Sequence, residues 1–277
     1  MNHACVAGSK ISHSRSPKIH NYWIQLYGLD ADYTIRDITE AELPTLIGDI
    51  RSGILQGCNI TVPYKETVIP LLDSIDEAAR QTGSVNTIYK RAGQVLGTST
   101  DGEGFMAHLL ANYPGFNVNG SSVVLLGAGG AARSILGAFA AGGASTISIV
   151  NRTERRASDV ASLAPGIAQA VRVDNLASVA ATADIVINTT SLGTGGEGEF
   201  PFPMEQTKPD CIFADIVYVP LKTPFLAHAE AVGRPVLDGL GMLLHQAVRG
   251  FELWFGVRPE VTDELRALIA KDIPPHA

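Results

Sequence analysis

Three sets of residues in this sequence have the types and spacing to do chemistry. The first is Gly127-x-Gly129-x-x-Ala132, placed between the apolar run Ser121–Leu126 and the small-residue stretch Ala131–Ala141. Between a strand and a helix, the first glycine permits a tight turn. The second lets backbone N–H groups approach a pyrophosphate at the helix N-terminus, and the small third residue lets helix and strand pack closely. Glycines also serve any tight strand-to-helix connection, so the spacing points to a dinucleotide only together with its placement. The second set lies at the end of the next strand-like run, where Asn151-Arg152-Thr153 is followed by Arg155 and Arg156. An NAD site usually carries an acid there for the ribose 2′-hydroxyl. A carboxylate would repel a 2′-phosphate, whereas a guanidinium binds it through charged, often bidentate hydrogen bonds. These residues favour NADP over the alternative of a solvated arginine face.

The third set is polar and sits at the ends of strand-like runs in the first hundred residues: Ser12–Pro17, Asn59–Lys65, Val85-Asn86-Thr87 and Thr100-Asp101-Gly102. Ligands of open α/β sheets bind beyond the carboxyl ends of strands. Hydroxyls, an amide, one ammonium and one carboxylate suit a small polyhydroxylated carboxylic acid. Each also has a plainer reading: Ser16 as a helix cap, Asn86 in a turn, Asp101 as an N-cap and Lys65 on the surface.

The elements that must position these residues follow from the apolar pattern. Strand-length runs alternate with helix-length amphipathic stretches, which predicts an α/β protein with parallel strands. Strands are expected at His3–Gly8, Asp32–Asp37, Gln56–Ile60, Ser84–Tyr89 and Val95–Thr98, the last entered through a hairpin turn at Arg91-Ala92-Gly93. Helices are expected from Pro17, capped by Ser16, and near Glu40–Ser52 and Ile75–Thr82. A Rossmann-like repeat begins near Ser121, with strands Thr146–Val150, Asp184–Asn188 and Cys211–Ile216 and a helix Glu154–Leu163. Gly193–Gly198 reads as a polar surface loop, and helices near Gly241–Phe255 and Thr262–Ile269 close the chain. A boundary between two domains is expected near Asp101–Gly104.

Composition narrows the classes. At 277 residues, 45% hydrophobic and 18% charged, the chain is long enough for two modest α/β cores. The net charge of −7 argues against nucleic-acid binding, and no apolar run reaches the ~20 residues that span a bilayer. The opening residues read as a first strand rather than a signal peptide. Cys5, Cys58 and Cys211 form no CxxC pair or disulfide framework, which fits a reducing cytoplasm, and the seven dispersed histidines suggest no metal site.

The ordered series SHSRSP, NITVPYK, SVNT, STDG, LGAGGAA, NRT, DIVYVPLKTPFL and DGLGMLLHQA resembles the shikimate dehydrogenase family over nearly the whole chain. The resemblance implies a substrate domain made of residues 1–102 and 239–277, a central NADP-binding Rossmann domain of residues 103–238, and a cleft between them. It implies NADP-dependent, reversible reduction of 3-dehydroshikimate to shikimate, in aromatic amino acid biosynthesis. Position by position, Ser14 and Ser16 resemble the substrate-carboxylate ligands, and Thr61, Asn86 and Gln246 the ring-hydroxyl ligands, with Tyr218 at the cleft. Lys65 and Asp101 resemble the catalytic pair. Gly127, Gly129, Gly130 and Ala131 fall on the pyrophosphate turn. Asn151, Arg152, Thr153 and Arg156 surround the 2′-phosphate, and Gly239 lies near the nicotinamide. Two positions depart from the family pattern: Ser99 stands where Asn is common before Thr-Asp, and Ile216 where many members carry Met beside the nicotinamide. A quinate/shikimate or aminoshikimate dehydrogenase of the same family, or a non-catalytic metabolite-binding relative, would share most of these features. A monomer or homodimer is expected, with a small molecule as partner.

Overall fold

The computed structural model describes residues 1–196 and 202–274 of the chain. In chain order its strands are β1 (Asn2–Gly8), β2 (Ala31–Asp37), β3 (Gly57–Ile60), β4 (Ser74–Ile75), β5 (Thr87–Arg91), β6 (Gln94–Thr98), β7 (Ser122–Leu126), β8 (Thr146–Val150), β9 (Ala168–Val171), β10 (Ile185–Asn188), β11 (Ile212–Asp215) and β12 (Val236–Leu237). The helices are α1 (Ser16–Leu26), α2 (Leu43–Ser52), α3 (Glu77–Thr82), α4 (Asp101–Asn112), α5 (Gly130–Ala141), α6 (Glu154–Ala161), α7 (Leu176–Ala180), α8 (Pro224–Ala231), α9 (Gly239–Phe255) and α10 (Asp263–Ala270). Two compact units result, Met1–Gly104 with Leu244–Ile269, and Phe105–Leu243 with the residues from Ala270 on. This grouping puts Gly239–Leu243 and the residues after Ile269 with the second unit, where the sequence division had put them with the first.

The sheet of the first unit runs β2-β1-β3-β5-β6-β4. It is mixed: the hairpin expected at Arg91-Ala92-Gly93 is present, and parallel pairing is confined to β1 with its two neighbours and to β4 with β6. β1 pairs parallel with β2 and β3, but β5 is antiparallel to both β3 and β6. For β5 and β6 the reason is local. Ala92 (φ 50°) and Gly93 (φ 81°) both adopt left-handed backbone, the geometry of a two-residue hairpin turn, and so short a connection joins only antiparallel strands. Three further expectations shift. α1 begins at Ser16 itself, which follows Arg15 at the cap position, so Ser16 is not the cap. The α3 stretch starts only at Glu77, because Asp76 caps it by accepting from the Ala79 N–H at 3.0 Å, and Ser74–Ile75 joins the sheet instead. Ser84–Asn86 precede β5 rather than belong to it.

The core of this unit lies around Cys5, Ile47, Ile60, Val68, Ile88 and Val95. The later part of α9 packs across β3 and β5 through Trp254, whose Nε1–H donates to the Ile88 carbonyl at 2.9 Å. Gly57 on β3 makes that approach possible, since a Cβ there would overlap both the Ile88 carbonyl oxygen and Trp254 Nε1.

The sheet of the second unit is wholly parallel and runs β9-β8-β7-β10-β11-β12, the strand order of the doubly wound dinucleotide fold. Its inner strands β8, β7, β10 and β11 are buried on both faces, between clusters around Val123, Ile135 and Ile147 on one side and Val124, Phe213 and Phe225 on the other. The reversal of strand order falls between β7 and β10, so the crevice opens beyond the carboxyl end of β7. Of the expected loop Gly193–Gly198, residues 197 and 198 lie outside the described residues. No helix among the described residues is long and apolar enough to cross a membrane.

Overpacking a tight contact costs about 1–3 kcal/mol. Gly57→Ala is therefore expected to lower the unfolding free energy of the first unit by at least that much. Both tryptophans of the chain, Trp23 and Trp254, lie in this unit, so their fluorescence in a urea titration reads the change directly.

Candidate functional site

In the first unit the structure gathers Lys65, Asp101, Asn86 and Gln246 at one end of the sheet. Thr61 and Lys65 follow β3, on a turn in which the Tyr64 N–H donates to the Thr61 carbonyl at 3.0 Å and the Val62–Pro63 bond is cis. The Thr61 N–H donates to the Ala7 carbonyl on β1 at 3.0 Å, and Gly8 leaves the space a Cβ would take from the Thr61 methyl, 2.6 Å away. Asp101 opens α4, and its Oδ2 accepts from Lys65 Nζ at 2.6 Å. The Lys65 carbonyl in turn accepts from the Val85 N–H at 2.8 Å, which ties the lysine's own backbone to the strand leading to Asn86.

Asn86 is buried and fully engaged. Its Nδ2 donates to Asp101 Oδ1 at 2.7 Å and to Thr100 Oγ1 at 3.0 Å, while its Oδ1 accepts from the Thr100 N–H at 2.9 Å and the Thr87 hydroxyl at 3.1 Å. The two oxygens of Asp101 are thus divided between an ammonium and an amide. Gln246, on α9, takes a long hydrogen bond from the Thr100 hydroxyl at 3.5 Å. Gly104 sets this contact, because a Cβ there would stand 2.5 Å from the Gln246 backbone nitrogen. Ser14 and Ser16 come together at the start of α1, where the Ser16 N–H donates to Ser14 Oγ at 3.3 Å. No contact joins that pair to Lys65 or Asp101 among the described hydrogen bonds and ion pairs.

In the second unit the glycine turn lies between β7 and α5. Gly127 has φ 112°, a conformation that disfavours side chains, and a Cβ there would lie 2.6 Å from Thr189 Oγ1. Thr189, just past β10, donates its hydroxyl to the Leu126 carbonyl at 2.8 Å, so the crevice between β7 and β10 is closed at its base. Gly129 precedes α5, offers no capping side chain and has open space where a Cβ would project. Gly130 and Ala131 begin the helix, whose first turn carries no acid. The N–H groups of that turn are left for a ligand anion, with the helix dipole in its favour. At the end of β8 the Asn151 Nδ2 donates to the Thr153 carbonyl at 2.9 Å. Arg152, Arg155 and Arg156 are exposed, with no ion-pair partner among the described residues. Free donors at the helix start, a Cβ-free cradle and guanidinium groups without acids fit a dinucleotide bearing a 2′-phosphate. Ile216 and Tyr218 follow β11, and Gly239, at the start of α9, packs against the Ile216 carbonyl, 2.4 Å from where its Cβ would stand.

Several supporting residues were not singled out from sequence. Gly104 and Gly8 set spacings, and Thr100 and Thr87, which the polar sets included without a role of their own, brace Asn86. The last group is a second buried carboxylate, Asp215, at the end of β11. It accepts from Thr223 Oγ1 at 2.6 Å, Asn188 Nδ2 at 2.9 Å and the Val217 N–H at 2.9 Å. Burial pushes its pKa up to about 6, and these hydrogen bonds oppose the shift. Asp215 opens the motif DIVYVPLKTPFL, but a hydrophobic pattern gives no sign that its first residue turns inward.

Comparisons with known proteins agree along the chain. Family profiles match the shikimate dehydrogenase substrate binding domain at residues 6–88, shikimate/quinate 5-dehydrogenase at residues 109–194, and the shikimate 5′-dehydrogenase C-terminal domain at residues 239–268. A shikimate dehydrogenase (NADP(+)) of Sinorhizobium fredii is 42% identical over 279 residues, covering 100% of this chain and 97% of its own length. Shikimate 5-dehydrogenase of Thermus thermophilus, solved with NADP(H) and shikimate, is similar with a TM-score of 0.85 and 31% identity, over 98% of this chain and 99% of that one. Quinate dehydrogenase of Corynebacterium glutamicum, solved with NAD, is similar with a TM-score of 0.87 and 30% identity, over 98% and 99% of the two chains.

One prediction follows from Asp215. Its folded pKa of about 6 lies above the ~3.9 of an unfolded aspartate, so the native state binds the proton more tightly between those values. This group therefore costs stability increasingly as pH rises from about 4 to 6, and in full above that. Asp215→Asn removes that slope. Urea unfolding at pH 4 and pH 7 should show the variant gaining about 2–3 kcal/mol relative to the parent chain over that interval.

With its profiles, its relatives and its paired dinucleotide and polar units in accord, the chain belongs to the shikimate dehydrogenase family.

Proposed function

We propose that this chain is an NADP-dependent oxidoreductase interconverting 3-dehydroshikimate and shikimate, in the biosynthesis of aromatic amino acids in the cytoplasm. The observation that carries the reading is the Lys65–Asp101 pair at 2.6 Å, held by Asn86 at the head of α4. The first unit is assigned the substrate and the second the cofactor. Bound NADPH supplies the hydride. Lys65 stabilises the negative charge that grows on the C3 oxygen of the substrate and gives it a proton, and Asp101 orients the ammonium and takes a ring hydroxyl. Ser14 and Ser16 hold the carboxylate; Thr61, Asn86 and Gln246 hold ring hydroxyls. On the cofactor, Gly127, Gly129, Gly130 and Ala131 take the pyrophosphate. Asn151, Arg152, Thr153 and Arg156 take the 2′-phosphate, while Ile216 and Gly239 border the nicotinamide.

Initial-rate kinetics with shikimate and quinate, each against NADP and NAD, test this reading. Shikimate with NADP is expected to give the highest kcat/KM. Quinate differs by a hydroxyl on a tetrahedral carbon beside the carboxylate, which the seryl grip should accommodate poorly. Comparable efficiency on both acids would move the chain to the quinate/shikimate class that the similarity to a quinate dehydrogenase keeps open, and preference for NAD would overturn the role of Arg152.

Lys65 should separate chemistry from binding. Its interaction strengthens only as the oxygen becomes basic, so its loss lowers turnover more than it weakens substrate binding. Lys65→Met is expected to cut kcat about 10²–10⁴-fold, the range for general acid–base groups. The Michaelis constant for shikimate should rise only modestly and NADP affinity should stay the same. Near-normal turnover would reduce Lys65 to a binding residue.

A further inference from the structure

Behind Asn86 runs a chain of buried side chains that ends at the Tyr33 hydroxyl. The Tyr33 hydroxyl donates to Asn59 Oδ1 at 2.5 Å. Asn59 Nδ2 donates to Thr87 Oγ1 at 3.1 Å and to the Asn86 carbonyl at 3.1 Å. The Thr87 hydroxyl donates to Asn86 Oδ1 at 3.1 Å, and Asn86 Nδ2 donates to Asp101 Oδ1 at 2.7 Å. The exposures are 2% for Tyr33, 6% for Asn59, 0% for Thr87 and 3% for Asn86. Strand register places Asn59 directly opposite Thr87 across the β3–β5 pair, so the link between them is built into the sheet.

The direction of each bond is set by the one before. A phenol proton given to Asn59 Oδ1 obliges that amide to present its NH₂ group to Thr87. With that N–H on its oxygen, the Thr87 proton turns to Asn86, whose Oδ1 at 3.1 Å is nearer than the Thr100 hydroxyl at 3.5 Å. Asn86 Oδ1 also receives the Thr100 backbone N–H at 2.9 Å. One donor at that oxygen decides which way round the amide lies; two donors, one on β5 and one on the backbone just before α4, fix its plane. Only a fixed plane aims Nδ2 at the Asp101 carboxylate that holds Lys65. The far end is sealed by His20, whose ring stacks on Tyr33 at 4.1 Å and is buried.

We propose that Thr87 is a positioning residue for the reaction, the link by which Tyr33 and Asn59 orient the Asn86 amide toward Asp101. Being wholly buried, it touches neither substrate nor cofactor. The inference rests on the assignment of Lys65 and Asp101 as the reacting pair.

The test compares Thr87→Val, which keeps the shape and removes the hydroxyl, with Thr87→Ser, which restores it. Leaving one buried polar group unpaired corresponds to roughly a 10-fold to 100-fold loss. Thr87→Val should lose that much in kcat/KM for shikimate and leave NADP affinity unchanged, and Thr87→Ser should return to within about threefold of the parent, a difference smaller than one neutral hydrogen bond. Thermal unfolding by circular dichroism shows that each variant is folded at the assay temperature. If Thr87→Val does not fold, Tyr33→Phe stands in, since it removes only the hydroxyl at the head of the chain; it should lose kcat/KM in the same sense and leave NADP affinity unchanged. Folded Thr87→Val at parental kcat/KM, a loss that serine does not rescue, or, where Tyr33→Phe stands in, parental kcat/KM in that variant overturns the inference. Lys65→Met assayed alongside keeps the two readings apart. If it cuts turnover while folded Thr87→Val keeps the parental kcat/KM, only the role of Thr87 falls. If it leaves turnover intact, the catalytic assignment itself has failed.

Discussion

Everything in the first unit serves one electrostatic constraint: an ammonium and a carboxylate 2.6 Å apart, with side chains only 24% and 12% exposed. A carboxylate drawn this far out of water is best tolerated when both of its oxygens are engaged. For Asp101 this means one oxygen on Lys65 and the other on Asn86, so three chain segments must meet at one point. Those segments are the turn after β3, the residues before β5 and the start of α4. The mixed sheet brings them there. Its hairpin returns β6 beside β5, so that Thr98 lies opposite Thr87 and α4 begins within reach of Asn86. Gly104, one turn further, then lets α9 approach closely enough to bring Gln246 to the same place.

The second unit solves a different problem with the same economy of groups. Its buried carboxylate, Asp215, has no cation partner among its hydrogen bonds; a hydroxyl, an amide and a backbone N–H surround it. Neutral donors compensate burial incompletely, and its pKa is pushed up accordingly. What these bonds hold is the shape of two loops. Asn188 reaches both Asp215 and the Leu192 carbonyl, and takes the Thr190 hydroxyl at 2.7 Å, while Thr223 caps α8. The neighbouring Thr189 seals the base of the glycine turn. A rigid wall thus stands beside a cradle that is itself nearly without side chains, which suits a ligand bound by backbone N–H groups.

The pattern of the sequence was enough to read the α/β class, the Rossmann repeat, the glycine turn and the bare arginines after β8. All of these rest on short-range rules: hydrophobic period, glycine spacing, charge type at a fixed offset. The resemblance added the residues of the polar site by number. The short elements were missed for physical reasons. β12 is only two residues long, β9 (Ala168–Val171) carries no buried apolar run, and β4 lies where a helical pattern was expected.

What the tertiary structure alone decided is which polar residues turn inward and onto what. Asn59, Thr87 and Asp215 carry the same side chains as any surface turn, and no local rule separates them. Register across β3 and β5 sets Asn59 against Thr87, and the parallel pairing of β10 with β11 sets Asn188 against Asp215. Such pairings join residues distant in the chain, and their energy comes from burial that exists only once both sheets are complete. Sequence by itself determined the kinds of chemistry available to this protein, because those depend on residue type and near spacing. The fold decided the aim of each group, because a hydrogen bond's direction depends on partners that the chain brings together only at the end.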